Sequence, residues 1–133
     1  MEEKIKITFK VKIIEAFYDG FRGYAQTGIS IIRDNISLKD HPFQKEDMVR
    51  IDLELEQKKR LDEVSDSTVK FHIAIFQLAS NGFYTKTYKE DENPYKGILF
   101  YESRGMITSP SLIKNPFEVG DLLKITVKKS KWH

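Results

Sequence analysis

The stretches "HPFQKEDMVRIDLELE" (residues 41–56) and "NPFEVGDLLKITVKKS" (residues 115–130) follow one pattern. Each contains Pro-Phe, three further residues, an aspartate and then a run in which apolar and polar residues alternate. Alternation with a period of two is typical of a half-buried β-strand, because successive side chains of a strand point to opposite faces. The proline ends the preceding strand, since it has no N–H for the ladder, and the aspartate favours a turn. We therefore interpret both stretches as corners of a β-barrel, each sealed by its phenylalanine.

The similarity between the two stretches extends beyond the corners. Aligned without gaps at an offset of 74, residues 37–53 and 111–127 share six identities in seventeen positions, and Gly23 falls on Gly97. This predicts a duplicated half-domain with copies at residues 23–56 and 97–130 and pseudo-twofold symmetry. The alternative is that two unrelated segments lead from a loop into a strand and have similar residues because the same turn is needed in both. The identical pairs are Ser37/Ser111, Leu38/Leu112, Pro42/Pro116, Phe43/Phe117, Asp47/Asp121 and Ile51/Ile125.

Other segments also alternate and extend the strand prediction. The clearest are "KIKITFKVKI" (residues 4–13) and "VKFHIAIFQL" (residues 69–78), and weaker candidates lie at 27–33, 83–89 and 97–102. Asn81-Gly82 is expected to supply the positive φ angles of a tight hairpin turn. Residues 56–68 could form a charged loop or a short helix. Seven or eight short strands with almost no helix predict an all-β, mainly antiparallel β-barrel.

Composition bounds the class of protein. A chain of 133 residues is expected to form a single domain, residues 1–133, with its own hydrophobic core. The absence of cysteine excludes disulfide scaffolds, thiolate nucleophiles and cysteine-based metal sites. The formal net charge of +2 gives no protein-wide field for nucleic acid. No apolar run has the length of a signal peptide core or a membrane span, so we expect a cytoplasmic protein with no membrane partner.

The second corner carries a resemblance to known barrels. "PFEVGDLLKITV" is similar to the apolar-x-x-Gly-Asp-hydrophobic-x-hydrophobic signature of small β-barrels, including OB-like folds, double-psi barrels and the cradle-loop group. The resemblance covers about twelve residues per copy, and the first copy has Glu46 where the glycine would stand. These families include nucleic-acid binders, ligand binders and enzymes, so the resemblance implies a fold and leaves function open.

Acid–base and metal chemistry have few candidates. Asp47 and Asp121 could form a facing pair of carboxylates, but an aspartate before a strand more often accepts N–H groups within its own turn. His41, His72 and His133 are dispersed without metal-ligand spacing, so neither a metal nor another cofactor is expected. We interpret His72 as a solvated or core-edge histidine. The lysine face Lys4, Lys6, Lys10 and Lys12 is expected to pair across strands with Asp52, Glu54 and Glu56 or to protect an edge strand, and a nucleic-acid track is the alternative.

The strongest functional signal is an interleaving of aromatic and basic residues. It occurs in the glycine-rich segment 19–28, interpreted as an inter-strand loop, and in the hairpin at 83–89. Aromatic rings beside cations are what single-stranded nucleic-acid sites on barrels use. We therefore predict a non-enzymatic binding module, with single-stranded nucleic acid as its partner. The predicted binding residues are Phe21, Arg22, Tyr24, Phe83, Tyr84, Lys86, Tyr88 and Lys89.

Two other functions stay open at this point. A small-molecule-binding or catalytic barrel would place a pocket near Asp47 and Asp121. A structural or assembly protein would form homo-oligomers through Phe76, Leu78 and the C-terminal residues.

Overall fold

The fold was taken from a computed structural model. It describes residues 5–26, 28–34, 37–56, 63–87 and 104–130, with backbone only at 86, 87 and 104. Besides a 3-10 turn at Pro110–Leu112, the described elements are β1 (Lys6–Phe17), β2 (Gly20–Ala25), β3 (Gly28–Asp34), β4 (Met48–Leu55), β5 (Glu63–Val64), β6 (Thr68–Ala79), β7 (Gly82–Thr87), β8 (Arg104–Thr108) and β9 (Leu122–Lys129).

Eight of these strands form a closed antiparallel barrel. Their order is β6-β7-β8-β3-β2-β1-β4-β9, and β9 pairs back onto β6 to close the sheet. The short β5 adds to the remaining edge of β6. The predicted all-β antiparallel barrel is therefore confirmed, while the candidate strand at 97–102 and residues 57–62 of the charged segment lie outside the described residues. In the part of the chain that is described, no helix is long and apolar enough to cross a membrane.

Two long strands make closure feasible. The first half of β1 pairs with β4 and its second half with β2, with a register shift between Ile13 and Glu15. The strand β6 does the same with β9 and β7, with a shift between Ile75 and Gln77. A β-bulge bends its strand and increases the local twist. Each long strand thus turns from one part of the barrel wall into the next.

The barrel interior is filled by side chains from all eight strands. An eight-stranded barrel is just wide enough for its inward side chains to fill it, which is the arrangement found here. Most of the inward-facing apolar residues come from the alternating positions that the sequence identifies; Phe21, Phe83 and Ile107 are additions from the structure. The largest of these that are fully buried are Phe21, Phe71, Phe83, Ile13, Ile32, Ile51, Leu53, Ile73, Ile75 and Ile107.

A phenylalanine packs into the barrel at each corner, as predicted. We call residues 41–47 the first corner and residues 115–121 the second corner. Phe43 and Phe117 are 2% and 1% exposed. Phe43 meets Phe21 edge-on at 5.9 Å between ring centroids, and Phe117 meets Phe83 edge-on at 6.1 Å. Burying one such ring contributes about 1.5–3 kcal/mol, so the corners are part of the core.

Polar side chains fix the backbone of both corners. Asp47 Oδ2 accepts the Gln44 N–H at 2.9 Å, and Asp121 Oδ2 accepts the Glu118 N–H at 2.9 Å. This confirms that each aspartate serves its own turn. It leaves neither carboxylate aimed at a shared space.

His41 and Asn115 perform the same task in the two corners. His41 Nδ1 accepts the Phe43 N–H at 3.1 Å, so the ring proton is on Nε2, which faces the carbonyls of Phe17 and Gly20 at 2.6 and 2.8 Å. Asn115 Oδ1 accepts the Phe117 N–H at 2.9 Å. Its Nδ2 donates to the Gly82 carbonyl at 3.4 Å. Each side chain therefore ties its corner to the adjacent hairpin.

The residue before each corner aspartate has a left-handed backbone. Gly120 has φ of 94° and Glu46 has φ of 80°. The glycine of the barrel signature is thus replaced in the first corner by a glutamate that keeps the same conformation. Because a Cβ is disfavoured there by roughly 1–2 kcal/mol, Glu46 is a strained position.

The hairpin between β6 and β7 differs from the sequence-based expectation. Ala79 pairs with Gly82, so the loop is Ser80-Asn81 and Gly82 is already in the strand. Neither Asn81 nor Gly82 is among the described residues with positive φ. Glycine is required here because a Cβ at residue 82 would lie 2.0 Å from the Ile107 carbonyl oxygen. The prediction of an Asn81-Gly82 turn with positive φ angles is therefore wrong.

The two left-handed positions give one prediction. Gly120→Ala should lower the free energy of unfolding by about 1 kcal/mol, because only the backbone conformation is penalised and no atom lies near the new methyl group. Glu46→Gly should raise it by about 0.5 kcal/mol, as relief of strain exceeds the greater freedom of the unfolded chain. Urea unfolding measures both, and wild-type stability for Gly120→Ala would contradict the assignment.

His41 gives a second prediction. His41→Ala leaves the Phe43 N–H and two carbonyls without their partner and should cost about 2 kcal/mol of unfolding free energy. His41→Asn should cost less than half of this unfolding free energy, because Asn115 makes the equivalent hydrogen bonds in the second corner. Equal losses in the two variants, measured by urea unfolding, would show that the side-chain hydrogen bonds are not what stabilises the corner.

Candidate functional site

The glycine-rich segment 19–28 is mainly a strand, which corrects the expectation of a loop. Gly20 and Gly23 are buried within β2. A Cβ at residue 23 would lie 2.0 Å from the Lys12 carbonyl oxygen, so the glycine serves the close approach of β1 and β2. The segment therefore offers no flexible glycine cradle for a phosphate. Its contribution to a surface comes from its outward side chains.

Two of the predicted binding residues are in the core. Phe21 and Phe83 are both 0% exposed, so neither ring can stack on a ligand at the surface. Successive side chains of a strand point to opposite faces of the sheet. Arg22 and Tyr84 point outward, so their neighbours Phe21 and Phe83 point into the barrel. The alternation in "GFRGYA" already contained this signal.

Three of the predicted residues do reach the surface. Tyr24 is 59% exposed, Tyr84 is 37% exposed and the Arg22 side chain is 46% exposed. The backbone of Lys86 lies in β7 opposite Arg104. The side chain of Lys86, together with Tyr88 and Lys89, lies outside the described residues.

The exposed residues share one outer surface, formed by β2, β3, β8 and β7. We call this surface the aromatic face. The strand register places further outward residues between the two tyrosines. The sequence-based prediction did not include these further residues. Its cross-strand rows are Tyr24 with Ile29; Arg22 with Ile31 and Thr108; and Arg33 with Met106 and Tyr84.

Arg22 and Arg33, the arginines of the aromatic face whose side chains are described, are held in place by acids. Arg33 Nη2 contacts both carboxylate oxygens of Asp19 at 3.0 and 3.2 Å, and its guanidinium lies 5.3 Å from the centre of the Phe17 ring. Asp19 is buried, so this pair fixes the β1–β2 hairpin as well. Arg22 donates through Nε to Glu15 at 2.7 Å. The guanidinium groups are thus ordered at the edge of the aromatic face.

Tyr84 is supported by a second ring. Its ring centre lies 6.3 Å from that of Phe76 in a tilted arrangement. Phe76 lies within the bulge of β6, between Ile75 and Gln77, and is partly buried. A ring that is braced in this way loses little freedom when a ligand stacks on it.

The opposite surface, the outer side of β1, β4, β9 and β6, differs in character. We call it the charged face. Lys6 and Lys124 lie on either side of Glu54, with nitrogen–oxygen distances of 3.5 and 3.6 Å. The predicted cross-strand pairing is thus confirmed for Lys6, whereas Lys10 lies opposite Arg50, Lys12 contacts Glu46, and Lys4 lies outside the described residues.

His72 is more buried than the sequence suggests. Its exposure is 1%, and Nε2 lies 3.3 Å from Glu56 Oε2. Lys124 Nζ is also 3.5 Å from Glu56, so this carboxylate joins two basic residues. The position is enclosed and belongs to a polar network, which rules out a solvated histidine.

The corner aspartates do not meet. β4 and β9 are antiparallel, and the register pairs Val49 with Lys129 and Leu55 with Leu123. Asp47 and Asp121 precede the two strands and therefore lie at opposite ends of the pair. With both side chains bonded in their own turns, they cannot form a facing carboxylate pair. Within the described ranges, no group of three or more histidines and acids could hold a metal ion.

Comparison with known proteins supplies no relative from which a role could be transferred. No family model, no curated protein and no solved structure matches the chain.

Proposed function

We propose that the protein is a non-enzymatic binding module whose partner is single-stranded nucleic acid. The observation that carries the proposal is the aromatic face, where exposed Tyr24 and Tyr84 flank ordered arginines on one continuous sheet surface. Bases stack on tyrosine whatever their identity, and each stacked base contributes about 1–3 kcal/mol. The face supplies the rings and cations that such a site uses.

The dimensions of the aromatic face suit a strand of several nucleotides. Tyr24 and Tyr84 lie on β2 and β7, which are separated by β3 and β8. With neighbouring strands about 4.8 Å apart, the two rings are at least roughly 14 Å apart across the sheet. Ile29, Ile31 and Met106 fill the interval with an apolar floor. A single base would cover only a part of it.

The arginine geometry favours an anionic backbone. Glu15 engages Nε of Arg22, which leaves the two Nη groups of this exposed side chain for a phosphate. Arg33 stacks one side of its guanidinium near Phe17 while Asp19 holds Nη2. Arginine binds phosphate well because its planar group presents several donors in a fixed geometry.

We also infer the finer type of the barrel. The proposal is a cradle-loop-type barrel made of two copies of one half-barrel, residues 23–56 and 97–130. His41 and Asn115, Glu46 and Gly120, and Asp47 and Asp121 are each 74 residues apart and have matching conformations or hydrogen bonds. An OB-fold has five strands, so the eight strands support the other type better.

A second function is favoured by exposed apolar residues near the second corner. Ile113 is 67% exposed and Val119 is 58% exposed, and Leu78 on the nearby hairpin is 43% exposed. Such residues would suit an assembly protein that forms homo-oligomers. A monomeric mass by light scattering, at concentrations up to those used for binding, would exclude this function.

The nucleic-acid proposal predicts the effect of removing each ring. Tyr24→Ala and Tyr84→Ala should each weaken binding of a fluorescent single-stranded oligonucleotide about 5- to 100-fold, measured by anisotropy at low salt. Tyr18→Ala is the matched control, because Tyr18 is 62% exposed but lies in the β1–β2 turn. It should bind like the wild type.

Two results would overturn the proposal. One is binding of single-stranded and duplex oligonucleotides no tighter than that of an unrelated anionic polymer. The other is an equal loss of affinity in all three tyrosine variants, which would mean that the aromatic face has no special part.

A further inference from the structure

Three cations lie directly opposite one another on the charged face. Lys10 of β1 pairs in register with Arg50 of β4, and Arg50 pairs with Lys128 of β9. We call these three residues the basic row. All three point outward, since their neighbours Val11, Ile51 and Val127 are buried in the core. Neighbouring strands are about 4.8 Å apart, so the three positive side chains leave the sheet side by side.

Such a row is unfavourable within a sheet. Like charges that face each other across strands destabilise the pairing, whereas opposite charges stabilise it. The row on the other side of the Asp52–Thr126 pair follows the stabilising rule, with Glu54 between Lys6 and Lys124. One surface therefore holds two rows of opposite character, and the basic row is the one that departs from the rule.

The carboxylate of Asp52 orders the central cation of the basic row. Asp52 Oδ1 accepts the Thr8 hydroxyl at 2.7 Å and the Arg50 Nε–H at 3.1 Å. The Asp52 side chain is only 9% exposed, so it holds the Arg50 guanidinium from the side nearer the sheet. The row as a whole faces outward, at a surface where an anion could bridge neighbouring cations.

The basic row is continuous with the aromatic face. Lys12 lies two residues beyond Lys10 on the same side of β1 and pairs with Tyr24 of β2. Lys12 also contacts Glu46 at 3.6 Å, with 36% of its side chain exposed. Tyr24, Lys12 and then the basic row form a path around the barrel wall. A strand that stacks on Tyr24 would reach the row along this path.

We propose that the basic row binds the phosphodiester backbone of the single-stranded nucleic acid whose bases stack on the aromatic face. This inference rests on the proposed function. It assigns Lys10, Arg50 and Lys128 to phosphates, and it extends the binding path from β2 across β1 and β4 to β9. It also makes the path asymmetric, because the alternating row on the other side of Asp52 contains Glu54, which repels phosphate.

The salt dependence of binding tests the assignment. For single strands, the slope of log affinity against log salt changes by about 0.7 for each phosphate that the protein neutralises. The double variant Lys10→Gln, Lys128→Gln should therefore reduce the magnitude of the slope by about 1.4, with anisotropy of the same oligonucleotide measured between low and moderate salt. Arg50 is kept so that Asp52 retains its partner.

A matched control removes two positive charges elsewhere. Lys6→Gln, Lys114→Gln changes the net charge equally, but Lys6 belongs to the alternating row and Lys114 is exposed beside the second corner. Its slope should equal that of the wild type. Thermal unfolding of both double variants checks that the barrel is intact, and substitutions of surface lysines are expected to change it little.

The outcomes separate the two proposals. If the wild type binds and the tyrosine variants weaken binding, but both lysine double variants share the wild-type slope, the basic row is not a phosphate site and the proposed function stands. If the slope falls equally in both double variants, only the net charge matters and the assignment also fails. If the wild type binds no oligonucleotide, both proposals fall.

Discussion

The barrel closes because β9 pairs with both β4 and β6. Through this double pairing the eight barrel strands hydrogen-bond to neighbours on both sides, and a closed barrel has no edge that could pair with another chain. Closure also forces alternate side chains into a narrow interior. The length of β1 and β6, their bulges and the buried glycines all follow from the need to curve the wall tightly.

The two corners show how different residues satisfy one backbone. Asn115 and His41 each accept an N–H two residues further on and donate to a hairpin carbonyl. Glu46 holds nearly the same φ as Gly120 at some cost in strain. What the barrel requires is a hydrogen-bond pattern and a dihedral angle. The residue type can vary as long as it supplies these hydrogen bonds and adopts this φ angle.

The outer wall divides into surfaces of different chemical character. On the charged face, Glu54 lies between Lys6 and Lys124, and Glu56 also contacts Lys124, while the aromatic face carries exposed tyrosines beside outward apolar residues. The basic row joins the two. The interior is occupied by packed side chains and the corner aspartates are engaged in turns, so the outside of the barrel is the surface left for contact with a partner.

Local periodicity and turn chemistry were enough to predict most of the strands, the antiparallel barrel class and the turn role of Asp47 and Asp121, but β2 was interpreted as a loop and β8 was not predicted. The same periodicity indicates that Phe21 and Phe83 point inward, whereas their aromatic character alone favours a stacking role. By contrast, the positions of Arg33 and Met106 between the two tyrosines, and the alignment of Lys10, Arg50 and Lys128 in one row, emerged from the folded barrel alone. Strand order and register are set by long-range backbone pairing, which no local pattern of residues encodes.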